Sequence, residues 1–238
     1  CIHKYDHILT ISNFTQKEII KYFNISPSKI TVVHVPIDDI WFNSIIKYSA
    51  RKNYIFTVSG EAPSKNLFGL LKAFSIVCKR YNISDKLIVA GVNSTNHSSV
   101  YVYIRKLEIE ERVLLLDYID QSTLINYYKF AKAFVFASFF EGFGIPIIES
   151  LSSGTRVACS NTTSMPEVVS NNGLLFNPHN VDEISNAILA LINQKPKDSD
   201  LYSLVTYAKK FSLSVMNKEI LNFWSKILCN EKKNFNFN

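Results

Sequence analysis

The residues best suited to chemistry follow one short apolar run, AFVFA at 133–137. They read EGFGIP at 141–146, and Glu149 comes shortly after them. Two glycines permit a close approach of the backbone to a ligand, and Pro146 suits the first position of a helix. Free N–H groups at a helix start form an anion site suited to phosphate. The pattern therefore predicts a phosphate-binding loop, while a plain tight turn explains the glycines equally well and the helix dipole explains Glu149.

Glu141 fits the plain-turn interpretation less well. A carboxylate beside a phosphate site is repulsive unless another group binds it. The pair of Glu141 and Glu149 also suggests a glycoside hydrolase, with one carboxyl group as the acid and the other as the nucleophile. That alternative is weaker, because it leaves the phosphate-type loop and the surrounding pattern of elements unexplained.

Short apolar runs alternate with amphipathic stretches along the chain, and these elements must position the loop. Short, continuous apolar strands separated by helices imply a parallel sheet that is covered on both faces. Six such units between residues 53 and 193 predict an α/β fold with a Rossmann-like, doubly wound parallel sheet, in which ligands bind beyond the carboxyl ends of the strands. The predicted strands are 53–59, 86–90, 113–116, 133–137, 155–159 and 173–176.

The two ends of the chain fall outside this repeating pattern. Residues 1–45 read as strand, helix and strand, which predicts the last βαβ unit of a preceding domain and its linker. Residues 46–198 would form the complete Rossmann-like domain. Residues 199–238 predict C-terminal helices, the last of them over 213–228, followed by a frayed tail at 231–238.

Composition excludes several classes of protein. The 238 residues are 47% apolar and 19% charged, which supports a full core and excludes a disordered chain. The net charge is +6, but the basic residues are scattered singly and in pairs, so we expect no nucleic-acid partner. No apolar run reaches the roughly 18 residues of a membrane span. The four widely spaced cysteines read as reduced thiols of a cytoplasmic protein, not as disulfides or metal ligands.

A longer stretch carries a specific resemblance. The sequence EGFGIPIIESLSSGTRVACSNTTSMPEVV at 141–169 closely resembles the C-terminal domain of family 4 glycosyltransferases. These are retaining enzymes of the GT-B fold, in which two Rossmann-like domains face each other across a cleft. The spacing of Glu141 and Glu149 resembles the paired-glutamate motif of that family. The similarity extends over nearly the whole chain, since 6–23 resembles the end of the N-terminal domain and 64–74 resembles the lysine loop and the helix after it.

The resemblance implies a site for a nucleotide-diphosphate sugar. Glu149 matches the glutamate that accepts hydrogen bonds from the ribose hydroxyls, and Glu141 matches the one near the transferred sugar. Lys65 matches the lysine that neutralises the diphosphate as it leaves. Backbone groups of Tyr118 and Ile119 fall where the family holds the base. The N–H groups implied to contact the sugar and the diphosphate belong to Gly142, Phe143, Gly144 and Ile145.

Some positions depart from the family pattern. The resemblance implies an arginine either next to Lys65 or shortly before it, where this chain has Ser64 and Gly60. The donor-binding position at Gly60 thus supplies no cation, which would weaken sugar-nucleotide binding by about 1.5–3 kcal/mol. Asp117 replaces the usual glycine beside the base site and adds a negative charge. Arg156 is a candidate replacement for the lost cation, but we expect it not to serve as one.

The reaction that the resemblance implies is front-face sugar transfer with retention of the anomeric configuration, without a metal or another cofactor. The PSKN loop at 63–66 is most similar to the mannosyltransferase branch, so GDP-mannose is the favoured sugar donor, with UDP- and dTDP-sugars open. The acceptor would be a glycan or a lipid-linked saccharide, and a basic chain can contact anionic lipid at the inner face of the membrane. Since residues 1–45 hold only the end of an N-terminal domain, we expect this chain alone to bind the sugar nucleotide without transferring the sugar.

Two other functions are consistent with the same residues. A non-catalytic module that binds a sugar nucleotide or a protein partner would explain the departures at Gly60 and Asp117. A sugar-nucleotide epimerase shares the two-domain fold, but the Glu-Gly-Phe-Gly block and the polar PSKN loop argue against that reaction.

Overall fold

The computed structural model of the chain describes residues 2–42 and 45–235, and side chains as far as residue 225. In these ranges the strands are β1 (Ile8–Thr10), β2 (Ile30–Val32), β3 (Lys52–Val58), β4 (Lys86–Ala90), β5 (Val113–Leu116), β6 (Ala131–Phe136), β7 (Val157–Ser160) and β8 (Gly173–Phe176). The α-helices are α1 (Asn13–Phe23), α2 (Leu67–Tyr81), α3 (Ser99–Lys106), α4 (Gln121–Phe130), α5 (Ile145–Ser152), α6 (Met165–Val169), α7 (Val181–Asn193), α8 (Asp198–Ala208) and α9 (Leu213–Phe235).

Strands β3 to β8 form one parallel sheet in the order β5-β4-β3-β6-β7-β8. Phe56 of β3 pairs with Ile88 of β4 on one side and with Phe134 of β6 on the other. The strand order runs outward in both directions from β3 and β6, so the predicted doubly wound α/β fold is confirmed. Because the order reverses between these two strands, the loops that follow them flank a crevice at the carboxyl edge of the sheet.

Helices cover both faces of the sheet. Consecutive residues of β3 point to opposite faces, so Ile55 and Phe56 lie in different cores. Ile55 packs with Phe74 of α2 and Ile188 of α7. Phe56 packs on the other side, where α4, α5, α6 and α8 cover the sheet, and its ring lies 5.0 Å from that of Tyr128. The central strands are therefore buried on both faces, as their continuous apolar runs predict.

The first two strands form a separate parallel pair with α1 beside it. Ile8 of β1 pairs with Ile30 of β2, and Ser12 caps α1 by accepting a hydrogen bond from the backbone N–H of Thr15 (3.0 Å). The segment that follows leads into the main core, where Trp41 is almost fully buried. Residues 2–42 thus supply a small N-terminal unit and a connection that packs on the main domain.

Glu167 of α6 joins the N-terminal unit to the main domain. Its Oε1 accepts hydrogen bonds from the backbone N–H (2.9 Å) and Nδ2 (2.7 Å) of Asn13, and His34 Nε2 lies 3.0 Å from the same oxygen. Its Oε2 accepts a hydrogen bond from the N–H of Phe14 (3.2 Å). Desolvation alone would raise the pKa of Glu167, but the hydrogen bonds from Asn13, His34 and Phe14 outweigh it and hold that pKa below its usual value.

The C-terminal helices contact both parts of the protein. Ile37 donates a hydrogen bond to the Phe211 carbonyl oxygen (2.9 Å) and accepts one from the N–H of Leu213 (3.0 Å). Farther along α9, the ring centroid of Phe223 lies 5.1 Å from that of His7 in the N-terminal unit. These contacts fix the N-terminal unit from a second side.

Helix α9 is longer than the sequence predicts. The residues at 213–235 contain no glycine or proline that would end a helix, and the helix continues to Phe235. The expectation of a frayed tail at 231–238 is therefore wrong as far as Phe235, and residues 236–238 lie outside the described residues. No helix in the described ranges, α9 included, is both long enough and apolar enough to cross a membrane.

Candidate functional site

Two loops meet at the carboxyl ends of β3 and β6. The backbone N–H of Phe139 donates a hydrogen bond to the Ser64 carbonyl oxygen (2.7 Å). The buried side chain of Asn66 spans the same gap, because its Nδ2 donates to the Ala137 carbonyl oxygen (3.1 Å). These bonds hold the PSKN loop against the loop that contains the glycines.

Lys65 and Glu141 form an ion pair across these loops. Lys65 Nζ lies 2.8 Å from Glu141 Oε1, and the two side chains are 33% and 15% exposed. The backbone of Glu141 is fixed as well, because its N–H donates to Thr163 Oγ1 (3.2 Å). The ion pair removes the electrostatic objection to a carboxylate beside an anion site, since Lys65 neutralises Glu141 and keeps two further N–H donors.

The glycine-containing loop turns its carbonyl oxygens toward the protein. Ser164 Oγ lies within hydrogen-bonding distance of the carbonyl oxygens of Glu141 (2.9 Å) and Phe143 (2.7 Å), which share its proton. Ser12 Oγ donates to the carbonyl oxygen of Gly142 (2.9 Å). Sequence reasoning missed both serines, whose spacing from the loop gives no signal. In the described part of the chain, no hydrogen-bond partner is found for the N–H groups of Gly142, Phe143, Gly144 and Ile145.

The two glycines of the loop have different roles. Gly144 is the N-cap of α5 and has a φ of +110°, a conformation that residues with a side chain rarely adopt. A Cβ at Gly142 would meet Ile11 Cδ1 at 3.4 Å, which is an ordinary contact. Pro146 is the second residue of α5, not the first as predicted, so the first N–H of the helix belongs to Ile145.

Glu149 lies in α5 and is largely buried. The hydroxyl of Tyr128 donates a hydrogen bond to Glu149 Oε2 (2.9 Å), and no partner is found for Oε1 among the described residues. Burial raises the pKa of Glu149 to about 7, and the hydrogen bond from Tyr128 limits the rise. Sequence reasoning missed Tyr128, because a tyrosine on the apolar face of a helix reads as a core residue.

The loops after β4 and β5 extend the same edge of the sheet. The N–H of Gly91 donates to the Leu116 carbonyl oxygen (2.9 Å), which ties the two loops together. Gly91 has a φ of +87°, and a Cβ there would lie 2.5 Å from the carbonyl oxygen of Ser59, so this close approach requires glycine. Tyr118 is 92% exposed, and Ile119 packs partly against the core. The structure therefore brings the predicted base-holding residues to the edge that carries Lys65, two strands away.

Two carboxylates accept hydrogen bonds near the predicted base-holding residues. Ser94 donates from its N–H to Asp117 Oδ1 (3.1 Å) and from its hydroxyl to Asp117 Oδ2. These side-chain and backbone hydrogen bonds lower the pKa of Asp117. The N–H of Asn93 donates to Glu61 Oε1 (3.1 Å). Asp117 is thus held in its charged form next to Tyr118, and its effect on a bound base stays a prediction.

Arg156 does not replace the missing cation. It precedes β7, at the amino edge of the sheet, where its guanidinium donates to the carbonyl oxygens of Leu191 and Gln194. Lys65 lies at the opposite, carboxyl edge. At Gly60, nothing lies within 4 Å of the position that a Cβ would occupy, so the space of an absent side chain is open.

Metal ligands were not expected, and a cluster of three or more His, Cys, Asp or Glu side chains is not found in the part of the chain that the structure describes. One Asp-x-Asp triplet does occur, at 198–200, where α8 begins. Asp198 accepts a hydrogen bond from the N–H of Tyr48 (2.8 Å), and Asp200 accepts one from the N–H of Lys197 (2.9 Å). Asp200 therefore caps the start of α8, and Asp198 ties that start to the segment around Tyr48. Sugar transfer without a metal stays a prediction.

Two of the four cysteines lie within the described residues with their side chains. Cys78 is partly buried, Cys159 is fully buried, and both are free thiols. Burial raises the pKa of both thiols, so neither is activated as a nucleophile. Cys1 and the side chain of Cys229 lie outside the described residues.

A groove of about 520 Å³ lies away from these loops, toward the amino ends of β3 and β5. Its walls include Lys52, Tyr54, Leu114 and Phe130. The Tyr54 hydroxyl is already engaged, because it donates to the Tyr127 carbonyl oxygen (2.8 Å). The N–H groups of 142–145, for which the described residues offer no partner, and the Lys65 ammonium lie instead at the carboxyl edge, so the chemistry for an anion is there and not in the groove.

The six-stranded parallel sheet with helices on both faces is a Rossmann-like domain of the GT-B type. A family model described as "Glycosyl transferases group 1" matches residues 42–210. The chain belongs to this family of glycosyltransferases, as the sequence resemblance predicted.

Individual relatives agree with this assignment. The chain is 31% identical over 229 residues to O-antigen chain mannosyltransferase B of Escherichia coli, covering 90% of this chain and 59% of the relative. It is 30% identical to O-antigen chain mannosyltransferase RfbU of Salmonella typhimurium, covering 76% and 50% of the two chains. The crystal structure of a glycosyltransferase from Rickettsia africae ESF-5 has the same fold, with a TM-score of 0.81 at 21% identity over 94% of this chain and 64% of that one. The chain thus spans between half and two thirds of these proteins.

Proposed function

We propose that this chain carries the sugar-nucleotide site of a retaining hexosyltransferase, which transfers a sugar from a nucleotide-diphosphate sugar to a glycan or lipid-linked acceptor. The observation that carries the proposal is that two adjacent loops bring together the Lys65 ammonium and the N–H groups of 142–145, which have no hydrogen-bond partner among the described residues. A cation and a row of backbone N–H groups at a helix start together suit a diphosphate. Membership of the glycosyltransferase family supplies the class of reaction.

Each side chain of the site then has a chemical task. The bond from the anomeric carbon to the diphosphate oxygen breaks, and the Lys65 ammonium and the loop N–H groups stabilise the charge that develops on that oxygen. The acceptor hydroxyl attacks from the same face, and its proton passes to the leaving phosphate. Glu149 accepts hydrogen bonds from the ribose hydroxyls, and Glu141, held by Lys65, lies beside the transferred sugar.

GDP-mannose is the sugar donor that we propose. Two observations support this choice: the PSKN loop at 63–66 is similar to the mannosyltransferase branch, and both relatives described above are named mannosyltransferases. Those names also refer to O-antigen chains, so the acceptor we propose is a growing polysaccharide, free or lipid-linked. We place the protein in the cytoplasm, in peripheral contact with the inner face of the membrane, and the net charge of +6 would favour such contact with anionic lipid.

Sugar transfer needs a second domain for the acceptor in the GT-B arrangement. The chain covers 59% of the E. coli relative, and residues 2–42 supply one β-α-β unit before the main domain. We therefore propose that this chain alone binds the sugar nucleotide and does not transfer the sugar. Detection of mannose transfer by the isolated 238-residue chain would contradict this part of the proposal.

Thermal unfolding with GDP, UDP, ADP and dTDP, each with and without EDTA, tests the sugar-nucleotide site. A nucleotide at about 100 times its Kd stabilises the folded state by about 2.7 kcal/mol, which raises the Tm of a chain of this size by roughly 5–11 °C. We expect this rise with GDP, unchanged by EDTA. A rise with a different nucleotide would change the proposed sugar donor, and no rise with any of the four would contradict the proposed function.

A non-catalytic binding module is the second candidate, and the open space at Gly60 favours it. Gly60 offers no side chain, and Arg156 lies at the opposite edge of the sheet. Lys65 is therefore the cationic side chain that the described residues place at the proposed diphosphate site. Restoring the cation with Gly60→Arg separates the two candidates. A site that has decayed should gain roughly 10- to 100-fold in GDP affinity, measured by calorimetry, because a charge-assisted hydrogen bond contributes about 1.5–3 kcal/mol. An unchanged affinity would indicate compensation elsewhere and an intact catalytic site.

A further inference from the structure

We propose that Tyr128 is a positioning residue for the sugar nucleotide: it holds one oxygen of Glu149 so that the other accepts the ribose hydroxyls. The inference rests on the proposed function, in which Glu149 binds the ribose. Its geometric basis is the hydrogen bond from the Tyr128 hydroxyl to Glu149 Oε2 at 2.9 Å. No sequence motif links these two residues, which lie on α4 and α5.

The ring of Tyr128 is packed tightly on all sides in this position. It is fully buried, and three aromatic rings surround it. Phe56 lies edge-on at a centroid distance of 5.0 Å, Phe134 lies at 5.0 Å, and Trp41 lies edge-on at 5.5 Å. The hydroxyl is therefore a fixed donor at the end of a rigid side chain, and it costs little further entropy when a ligand binds.

The hydroxyl also stays protonated. Burial, followed by the negative charge of Glu149, raises the pKa of Tyr128 well above its usual value. Tyr128 can therefore only donate to the carboxylate over the whole physiological pH range. Glu149 Oε2 is occupied as an acceptor, and Oε1 remains for a ligand hydroxyl, since no partner for it is found among the described residues.

The protonation state of Glu149 depends on the hydrogen bond from Tyr128. Burial raises the pKa of Glu149 to about 7, and the bond from Tyr128 opposes the rise. No charged side chain of the helices packed on α5, among the described residues, contributes to the shift, so Tyr128 is the titratable group that faces Glu149. Without the hydroxyl, more of Glu149 would be protonated at neutral pH, and a protonated carboxyl is a poorer acceptor for two ribose hydroxyls.

A pair of tyrosine-to-phenylalanine variants separates positioning from packing. Tyr128→Phe removes the hydroxyl that contacts Glu149. Tyr54→Phe is the matched control, because it removes another buried hydroxyl that donates to a backbone oxygen, that of Tyr127, away from the site. The titration of the Glu149 carboxyl group can be measured by ¹³C NMR without nucleotide. We expect Tyr128→Phe to raise the midpoint of this titration by about one pH unit. Tyr54→Phe should leave that midpoint unchanged.

Calorimetry with GDP over pH 5.5 to 8.5 supplies the functional readout. The pH below which GDP affinity falls should move up in Tyr128→Phe by the same amount as the NMR midpoint, and it should not move in Tyr54→Phe. A merely structural tyrosine would lower the affinity equally at every pH. If GDP does not bind the wild-type chain, the proposed function fails, while the NMR titration still decides whether Tyr128 governs Glu149.

A second substitution at position 128 tests the same hydrogen bond if Tyr128→Phe does not fold. Site-specific incorporation of 3-fluorotyrosine at position 128 keeps the ring in place and makes the hydroxyl a stronger hydrogen-bond donor. The Glu149 midpoint should then move down, opposite to the shift in Tyr128→Phe. A midpoint that is the same in the wild type and in both variants would overturn the proposal.

Discussion

Replacing Glu149 by glutamine should stabilise the unliganded protein at alkaline pH. The folded state raises the pKa of this carboxyl group, mainly because the group is buried, so the folded chain holds the proton more tightly than the unfolded chain. The contribution of this group to the free energy of unfolding is therefore greatest below the pKa that the group has in the unfolded chain. It declines as the pH rises through about 7 and stays low above that pH. Glutamine mimics the protonated form and can still accept the hydrogen bond from Tyr128.

The size of the effect follows from the shift. The pKa rises from 4.5 to about 7, and each unit corresponds to 1.36 kcal/mol, so the ionised carboxylate costs the folded state about 3 kcal/mol at pH 8.5. At pH 4.5 the same group is protonated in the folded state and costs little. For a chain of this size, 3 kcal/mol corresponds to a Tm difference of roughly 6–12 °C.

Urea unfolding of wild type and Glu149→Gln at pH 4.5 and pH 8.5 measures this difference. We expect nearly equal free energies of unfolding at pH 4.5 and a more stable variant at pH 8.5, which has nevertheless lost affinity for GDP. Glu110→Gln, at an exposed position, controls for the loss of one carboxyl group. A gain that is the same at both pH values would show that burial of the Glu149 charge is not its cause, and the reasoning would be refuted.

Three further predictions concern the loops and the N-terminal unit. Lys65→Met should weaken GDP binding roughly 10- to 100-fold in calorimetry but weaken GMP binding much less, because the ammonium acts on the diphosphate; equal losses would contradict this role. Gly144→Ala should destabilise the protein by roughly 1–3 kcal/mol in urea unfolding because of its φ of +110°, whereas Gly142→Ala should cost far less. Glu167→Gln should lower stability at pH 7, and the difference from wild type should shrink as the pH falls through the lowered carboxyl pKa, as measured by thermal unfolding; a difference that is constant with pH would contradict the account.

Much of the site could be predicted from the sequence because of one property of parallel sheets. Every strand ends at the same edge, so the loops that follow neighbouring strands lie close to one another. Lys65 lies in the loop after β3 and Glu141 in the loop after β6, and Lys65 Nζ lies 2.8 Å from Glu141 Oε1. The same rule applies to Arg156: a residue that precedes a strand lies at the amino edge, and its guanidinium indeed lies there.

What could not be predicted depends on packing between distant helices. Tyr128 and Glu149 lie on different helices, and the packing of α4 against α5 brings the hydroxyl to the carboxylate. Ser12 belongs to the N-terminal unit, and its bond to Gly142 follows from the way that unit packs on the main domain. Such contacts leave no periodic signal in one sequence, because each depends on the relative placement of whole elements.

The most direct test of the account is where GDP binds. NMR chemical-shift mapping of the ¹⁵N-labelled chain, titrated with GDP, reports this position residue by residue. We expect the largest changes at the N–H groups of 142–145 and at Lys65, with smaller ones at 117–119. Changes that cluster instead around Lys52 and Phe130, in the groove at the amino edge, would contradict the central claim that the loops after β3 and β6 form the sugar-nucleotide site.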